Sequence, residues 1–179
     1  MAWMYFIAVV APKEINEEVL NWKLFMKDRF DCSVALRSPA HITLIPPSWM
    51  EETLEKKLME AITNFSIERW QFKIEVRNFA AFKPRVIYLD VLTNKSLTEL
   101  HTQLQGRLLN ARLFPIKPDD RPFHPHITIA TRDLRKKDFQ EAWEVFKEKK
   151  FDATWMANGI SLLRHDQKNW NVLFTSQFK

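Results

Sequence analysis

His41-Ile42-Thr43-Leu44 returns 85 positions later as His126-Ile127-Thr128-Ile129, and the fold is read outward from this pair. Both segments are short, apolar and rich in β-branched residues, which predicts strands. Residues two apart on a strand share a face. Each His therefore stands beside its Thr, while each Ile faces the other way into a core. With five His and ten Thr in 179 residues, chance supplies about 0.3 His-x-Thr triplets per shuffled chain. One triplet reads as an ordinary solvent-facing strand. Two, at matching places, point to a shared purpose.

The surroundings repeat as well. Residues 4–11 read as a buried strand stopped by Pro12. Ile15, Val19, Leu20, Trp22, Phe25 and Met26 form an apolar helical stripe. The first motif strand, 41–45, ends at Pro46 and Pro47. Ser48 and Glu51 have capping-box spacing and open a helix to about Asn64. Residues 71–79 alternate as a strand, and Lys83-Pro84-Arg85 turns the chain into a strand over 86–92. Ser96 and Glu99 again have capping-box spacing, before a stripe of Leu97, Leu100, Leu104 and Leu108. A polar loop, 115–122, leads to a strand over 123–130 and a helix over 136–148. Two strands, 154–163 and 170–178, joined by a turn at 165–169, close the chain. Strand, helix, motif occurs twice, with opening strands centred near residues 7 and 88. The expectation is one domain, 1–179, with an internal repeat at approximately 1–80 and 81–179. Its class is α+β, two lobes each with a sheet and covering helices.

Composition narrows the function. Hydrophobic residues make up 46% and charged residues 27%, an ordinary globular balance. Only two glycines are present, Gly106 and Gly159, which excludes a Walker loop and a dinucleotide fingerprint. The single cysteine, Cys32, excludes an internal disulfide and a multi-thiolate zinc site. A net charge of +5 suits an anionic ligand without demanding one. The apolar run 4–10 is too short for a membrane span and lacks a basic segment before it. The expectation is a cytoplasmic protein with no membrane partner.

Two histidines across a cleft can divide the labour of phosphodiester chemistry. A neutral imidazole takes a proton from the nucleophile, and a protonated one gives a proton to the leaving oxygen. An ordinary pKa of about 6.5 suits both tasks. The Thr43 and Thr128 hydroxyls can donate to the non-bridging phosphate oxygens. This scheme calls for no metal and no cofactor. His124 and His126 have a metal-like spacing, but His41 lacks a matching second His, so no metal site is expected.

At these residues the sequence resembles the 2H phosphoesterases, in particular their bacterial 2′-5′ RNA ligase-like branch. That family is named for two His-x-[Thr/Ser]-x motifs, here at 41–44 and 126–129. The run Phe123-His124-Pro125-His126, the opening strand YFIAVV, the segment KPRVIYLDV and the closing strand pair extend the resemblance along the chain. It implies two pseudo-symmetric lobes, each an antiparallel-rich sheet with outer helices, around a central cleft. It also implies an RNA or nucleotide substrate with a 2′,3′-cyclic phosphate or a 2′-5′ linkage, hydrolysed or, in reverse, ligated. Pro46-Pro47 stands where relatives often carry a Phe-x-Gly-type ending, so the cleft rim is expected to be shaped differently.

The expected catalytic set is therefore His41, His126, Thr43 and Thr128. His126 is read as the base and His41 as the acid, although pseudo-symmetry leaves those roles exchangeable. Arg132 follows the second motif where relatives often have Arg, Arg121 sits in the loop before it, and Arg85 flanks a strand start. Each is a phosphate contact or a solvated charge. Tyr88 and Trp170 line a pocket or fill the core. His124 shares the face of His126 and can meet substrate if the strand is regular, or lies off that face if Pro125 disturbs the pairing, and His101, beside the leucine stripe, is read as structural. The expected partner is an RNA end or nucleotide, bound by a monomer. The rival reading is a non-catalytic RNA-end or nucleotide-binding protein using the same cleft. A purely structural protein would leave the paired motifs as coincidence.

Overall fold

A computed structural model describes all residues, 1–179. Eight strands and four α-helices follow one another as β1 (Ala2–Val10), α1 (Lys13–Phe30), β2 (His41–Glu51), α2 (Glu55–Ser66), β3 (Phe72–Phe82), β4 (Val86–Val91), α3 (Lys95–Ala111), β5 (His126–Ala130), α4 (Lys136–Phe146), β6 (Asp152–Ala157), β7 (Gly159–His165) and β8 (Trp170–Gln177). The strands form two antiparallel four-stranded sheets, ordered β2-β1-β7-β8 and β5-β4-β3-β6. The two motif strands, β2 and β5, are edge strands, and they lie against each other where the sheets meet. The helix before each motif packs on the opposite motif strand, α1 on β5 and α3 on β2. One apolar core of 39 buried residues runs through both sheets and their helices. No helix is long and apolar enough to cross a membrane.

Several expectations need correcting. β2 does not stop at Pro46 but runs on to Glu51. Proline removes a ladder donor, which an edge strand tolerates. The register with β1 jumps twice, between Ala8 and Ile7 and between Ile7 and Tyr5, and the two prolines fall in the second jump. Neither capping box caps a helix. Ser48 is paired with Tyr5 in the sheet, and α2 starts only at Glu55. The cap of α3 is Asn94, whose side chain accepts from the Leu97 N–H at 2.8 Å. β5 starts at His126, because 123–125 are irregular. The run 154–163 is two strands rather than one: β6 pairs with β3 in one sheet and β7 pairs with β1 in the other. Leu20 also leaves the helical stripe and faces solvent, while Val19 and Met26 are buried.

Candidate active site

The two motifs carry the same burial rhythm, with His and Thr half-buried and the next-door Ile42, Leu44, Ile127 and Ile129 buried. The alternation of a strand accounts for this directly. His41 lies opposite Val10 and Thr43 opposite Ala8. His126 lies opposite Asp90 and Thr128 opposite Tyr88.

The rings are held in the same way. Nδ1 of His41 lies 2.7 Å from the carbonyl oxygen of Pro39, and Nδ1 of His126 lies 2.8 Å from that of His124. A carbonyl only accepts, so each Nδ1 carries the proton and donates. In the neutral ring this leaves Nε2 as the bare lone pair, free for proton transfer. In both cases the acceptor is two residues upstream, a local device repeated in the two lobes.

Their electrostatics differ. Burial pushes the His41 imidazole down to about 4, with the Pro39 carbonyl opposing and the charges of Lys23 and His126 adding to the fall. Phe6 packs on the ring, with centroids 4.8 Å apart. Lys23 is a buried cation whose Nζ donates to the Ser38 carbonyl at 2.9 Å, and burial lowers it to about 8. His126 is also lowered, first by burial and then by His124, while its own carbonyl bond and Asp90 pull it back up. Lys23→Met removes a positive charge beside His41 and is expected to raise the His41 pKa. An NMR pH titration of the His41 ring should show its midpoint moving towards neutrality. A midpoint that does not move would show that Lys23 exerts no influence on the ring.

A cleft of about 390 Å³ takes its walls from both lobes, with Thr43, Leu44 and Pro46 on one side and Phe82, His124 and His126 on the other. Tyr88 is buried beneath it, its hydroxyl 3.2 Å from Nε2 of His124. Burial raises the Tyr88 pKa, with Asp90 adding to the rise. Trp170 packs edge-on against Phe6. Arg121 reaches the cleft rim, where Nε and Nη2 donate to the two Asp119 oxygens at 2.8 and 2.7 Å. That pairing holds the Asp119 carboxyl down to about 2. Of the expected catalytic set, Thr43 and His126 line this cleft and His41 and Thr128 do not; Arg85 and Arg132 stand outside the strands and do not line it either.

Sequence reasoning missed two walls. Phe82 is 40% exposed. It packs at a tilt on Tyr88, with centroids 4.3 Å apart, and sets its ring edge-on to His124 and His126 at 5.1 and 5.2 Å. His101 lines the cleft from α3 and stacks on Phe123, with centroids 4.0 Å apart and planes 7° off parallel. Burial lowers its pKa. The spacing of His101 from Leu97 and Leu104 puts it at the margin of the leucine stripe, the one sequence signal that it faces something other than water.

With two like-held imidazoles on abutting strands, comparison with known proteins becomes informative. Residues 11–169 match the model of the 2′-5′ RNA ligase superfamily. The chain is 33% identical over 141 residues to the RNA 2′,3′-cyclic phosphodiesterase of Bacillus subtilis (strain 168), covering 72% of this chain and 70% of that one. The chain belongs to the 2′-5′ RNA ligase superfamily. Solved structures agree on the fold of this superfamily member. Escherichia coli LigT complexed with 3′-AMP superposes with a TM-score of 0.73 at 18% identity, over 100% of this chain and 99% of that one. The TT0787 protein of Thermus thermophilus gives 0.70 at 18% identity, over 98% and 97%. The expected family and two-lobed α+β architecture are thus met.

Proposed function

We propose that this protein is a two-histidine phosphoesterase that opens 2′,3′-cyclic phosphates at RNA ends or on nucleotides. The observation that carries the reading is the matched pair of imidazoles, each with Nδ1–H held by a carbonyl and Nε2 left free. The activity named for the Bacillus relative supports the substrate class.

His41, the more depressed imidazole, is neutral at working pH and is the base. This reverses the assignment expected from sequence. Its Nε2 takes a proton from water as the water oxygen bonds to phosphorus. The bond from phosphorus to one ribose oxygen breaks, and protonated His126 gives its Nε2 proton to that oxygen. Solvent exchange then resets both rings. Thr43 and Thr128 donate to the non-bridging oxygens, and Arg121 adds positive charge at the rim. Arg85, Arg132 and Tyr88 act further out, the arginines on approaching phosphate and Tyr88 through His124. A 2′-5′ linkage is cleaved with the same groups, and sealing is the microscopic reverse. Both histidines come from one chain, so the reading needs only a monomer, working where RNA is processed in the cytoplasm. Residues 1–179 then act as one domain grown from a repeat, β1-α1-β2 answered by β4-α3-β5.

The pH dependence follows from the free enzyme, which kcat/KM reports. As pH falls through about 4, His41 gains a proton and the base is lost. As pH rises past the lowered His126 value, the acid is lost. A bell with a mildly acidic optimum is expected, between about 4 and the ordinary histidine value of about 6.5. The assay is hydrolysis of a set of 2′,3′-cyclic nucleotides across this range, with chelator present. A profile that rises to a plateau without falling would overturn the two-histidine scheme.

A further inference from the structure

Beside the catalytic cleft lies a second hollow of about 560 Å³. The two share Pro46, Asp119 and Arg121, so they adjoin. Its floor is the far half of β2, with Pro47 and Trp49, and its wall is the loop after α3, with Ile116 and Lys117.

The register explains why Trp49 belongs to this surface. Along β1, Met4, Ala8 and Val10 share one face. Their partners are Trp49, Thr43 and His41. Each of the two register jumps in β2 adds one residue, and two additions restore the parity of the strand. Trp49 therefore stands on the same face as the catalytic His and Thr. It is 62% exposed, although large aromatics are usually covered. Pro46 and Pro47 lie where the two hollows meet, and they stiffen the floor.

We propose that this groove binds the single-stranded RNA that precedes the cyclic phosphate, with a base stacked on Trp49 and backbone phosphates met by Lys117 and Arg121. The inference rests on the cyclic phosphodiesterase reading above and adds to it a preference for RNA ends over mononucleotides. A cyclic phosphate ends an RNA strand, so the remaining nucleotides must leave on one side, and this groove adjoins the cleft. The β1 partners of Thr43 and Trp49, Ala8 and Met4, are four residues apart, roughly 13 Å along the strand, which sets Trp49 away from a phosphate seated at the histidines. Tryptophan accepts any base, since every base has a π-face. Asp119 engages Nε and one Nη2 proton of Arg121, which leaves three of the five guanidinium donors for phosphate.

The test is fluorescence anisotropy with a short fluorescein-labelled RNA ending in a 3′-phosphate, with 3′-AMP measured by competition. The wild type should bind the RNA more tightly than 3′-AMP. In Trp49→Ala and in Lys117→Glu, the ratio of RNA to 3′-AMP affinity should fall by roughly fivefold or more. Both side chains are exposed, so the variants should fold, and circular dichroism checks that they do. An unchanged ratio would overturn the groove, while the two-histidine reading, tested by turnover, would stand. A ratio that holds while self-association drops would give the face to a second copy and equally overturn the proposal. A wild type that binds neither probe would overturn the groove and remove the support for the cleft as a nucleotide site.

Discussion

His126→Ala is expected to lower kcat on a 2′,3′-cyclic nucleotide by roughly 10²- to 10⁴-fold, the range for losing a positioned general acid. The ring is presented rather than packed away. It is half-buried at the start of an edge strand, held by one hydrogen bond to the His124 carbonyl and walled by Phe82 and Tyr88. Removing it leaves Ile127 and Ile129 in the core, so the fold should survive. His41→Ala should cost a comparable factor through loss of the base. Affinity for a 3′-phosphate product should change far less than turnover, because Thr43, Thr128 and Arg121 remain. The pairing of kcat with product affinity separates an enzyme from a binder. Turnover within tenfold of wild type in either variant would remove that histidine from the mechanism.

The largest expected effect on stability lies at Gly159, where the chain passes from β6 in one sheet to β7 in the other. A Cβ placed there would sit 2.5 Å from the carbonyl oxygen of Ser176 and 3.2 Å from its carbon, both backbone atoms of β8. Gly159 is paired with Gln177, and the Phe178 N–H donates to the neighbouring Asn158 carbonyl at 2.8 Å. Neither strand can move aside without stretching this ladder. Gly159→Ala should therefore cost about 1–3 kcal/mol, the usual range for overpacking, read as a lower urea midpoint at unchanged m-value. Gly106 has nothing within 4 Å of such a Cβ. The same substitution there should be neutral or slightly stabilising, since alanine is the better helix former. Equal stability of the wild type and Gly159→Ala would show that β7 and β8 can part at that point.

Much of the site was legible because strand alternation and residue chemistry are local properties. Within each motif, the two-residue period put His and Thr on one face and Ile in the core, and the structure places them so. The repeat of the motif marked the two strands as a pair. The helical stripe of α3 was legible for the same reason, since Leu97, Leu100, Leu104 and Leu108 recur with the helical period. The helix starts were misread because Ser48 and Ser96 have the spacing of a cap without its setting. Pairing with Tyr5 keeps Ser48 extended, and Asn94 already serves α3.

Other features depend on neighbours far away in the chain. The assignment of β6 and β7 to different sheets depends on which partner each strand finds, β3 or β1, and no local pattern encodes that choice. Phe82 and His101 became walls of the cleft only when the other sheet set Thr43 and Pro46 across from them. From the sequence alone came the two-lobed α+β plan, the paired His-x-Thr strands and the chemistry those residues can perform, because these follow from side-chain identity and short-range period. The two histidines are alike in sequence and alike in their carbonyl bonds. Only the tertiary structure set them apart, enclosing His41 beside buried Lys23 and leaving His126 with Asp90 nearby, because protonation depends on burial and on charges supplied by other elements.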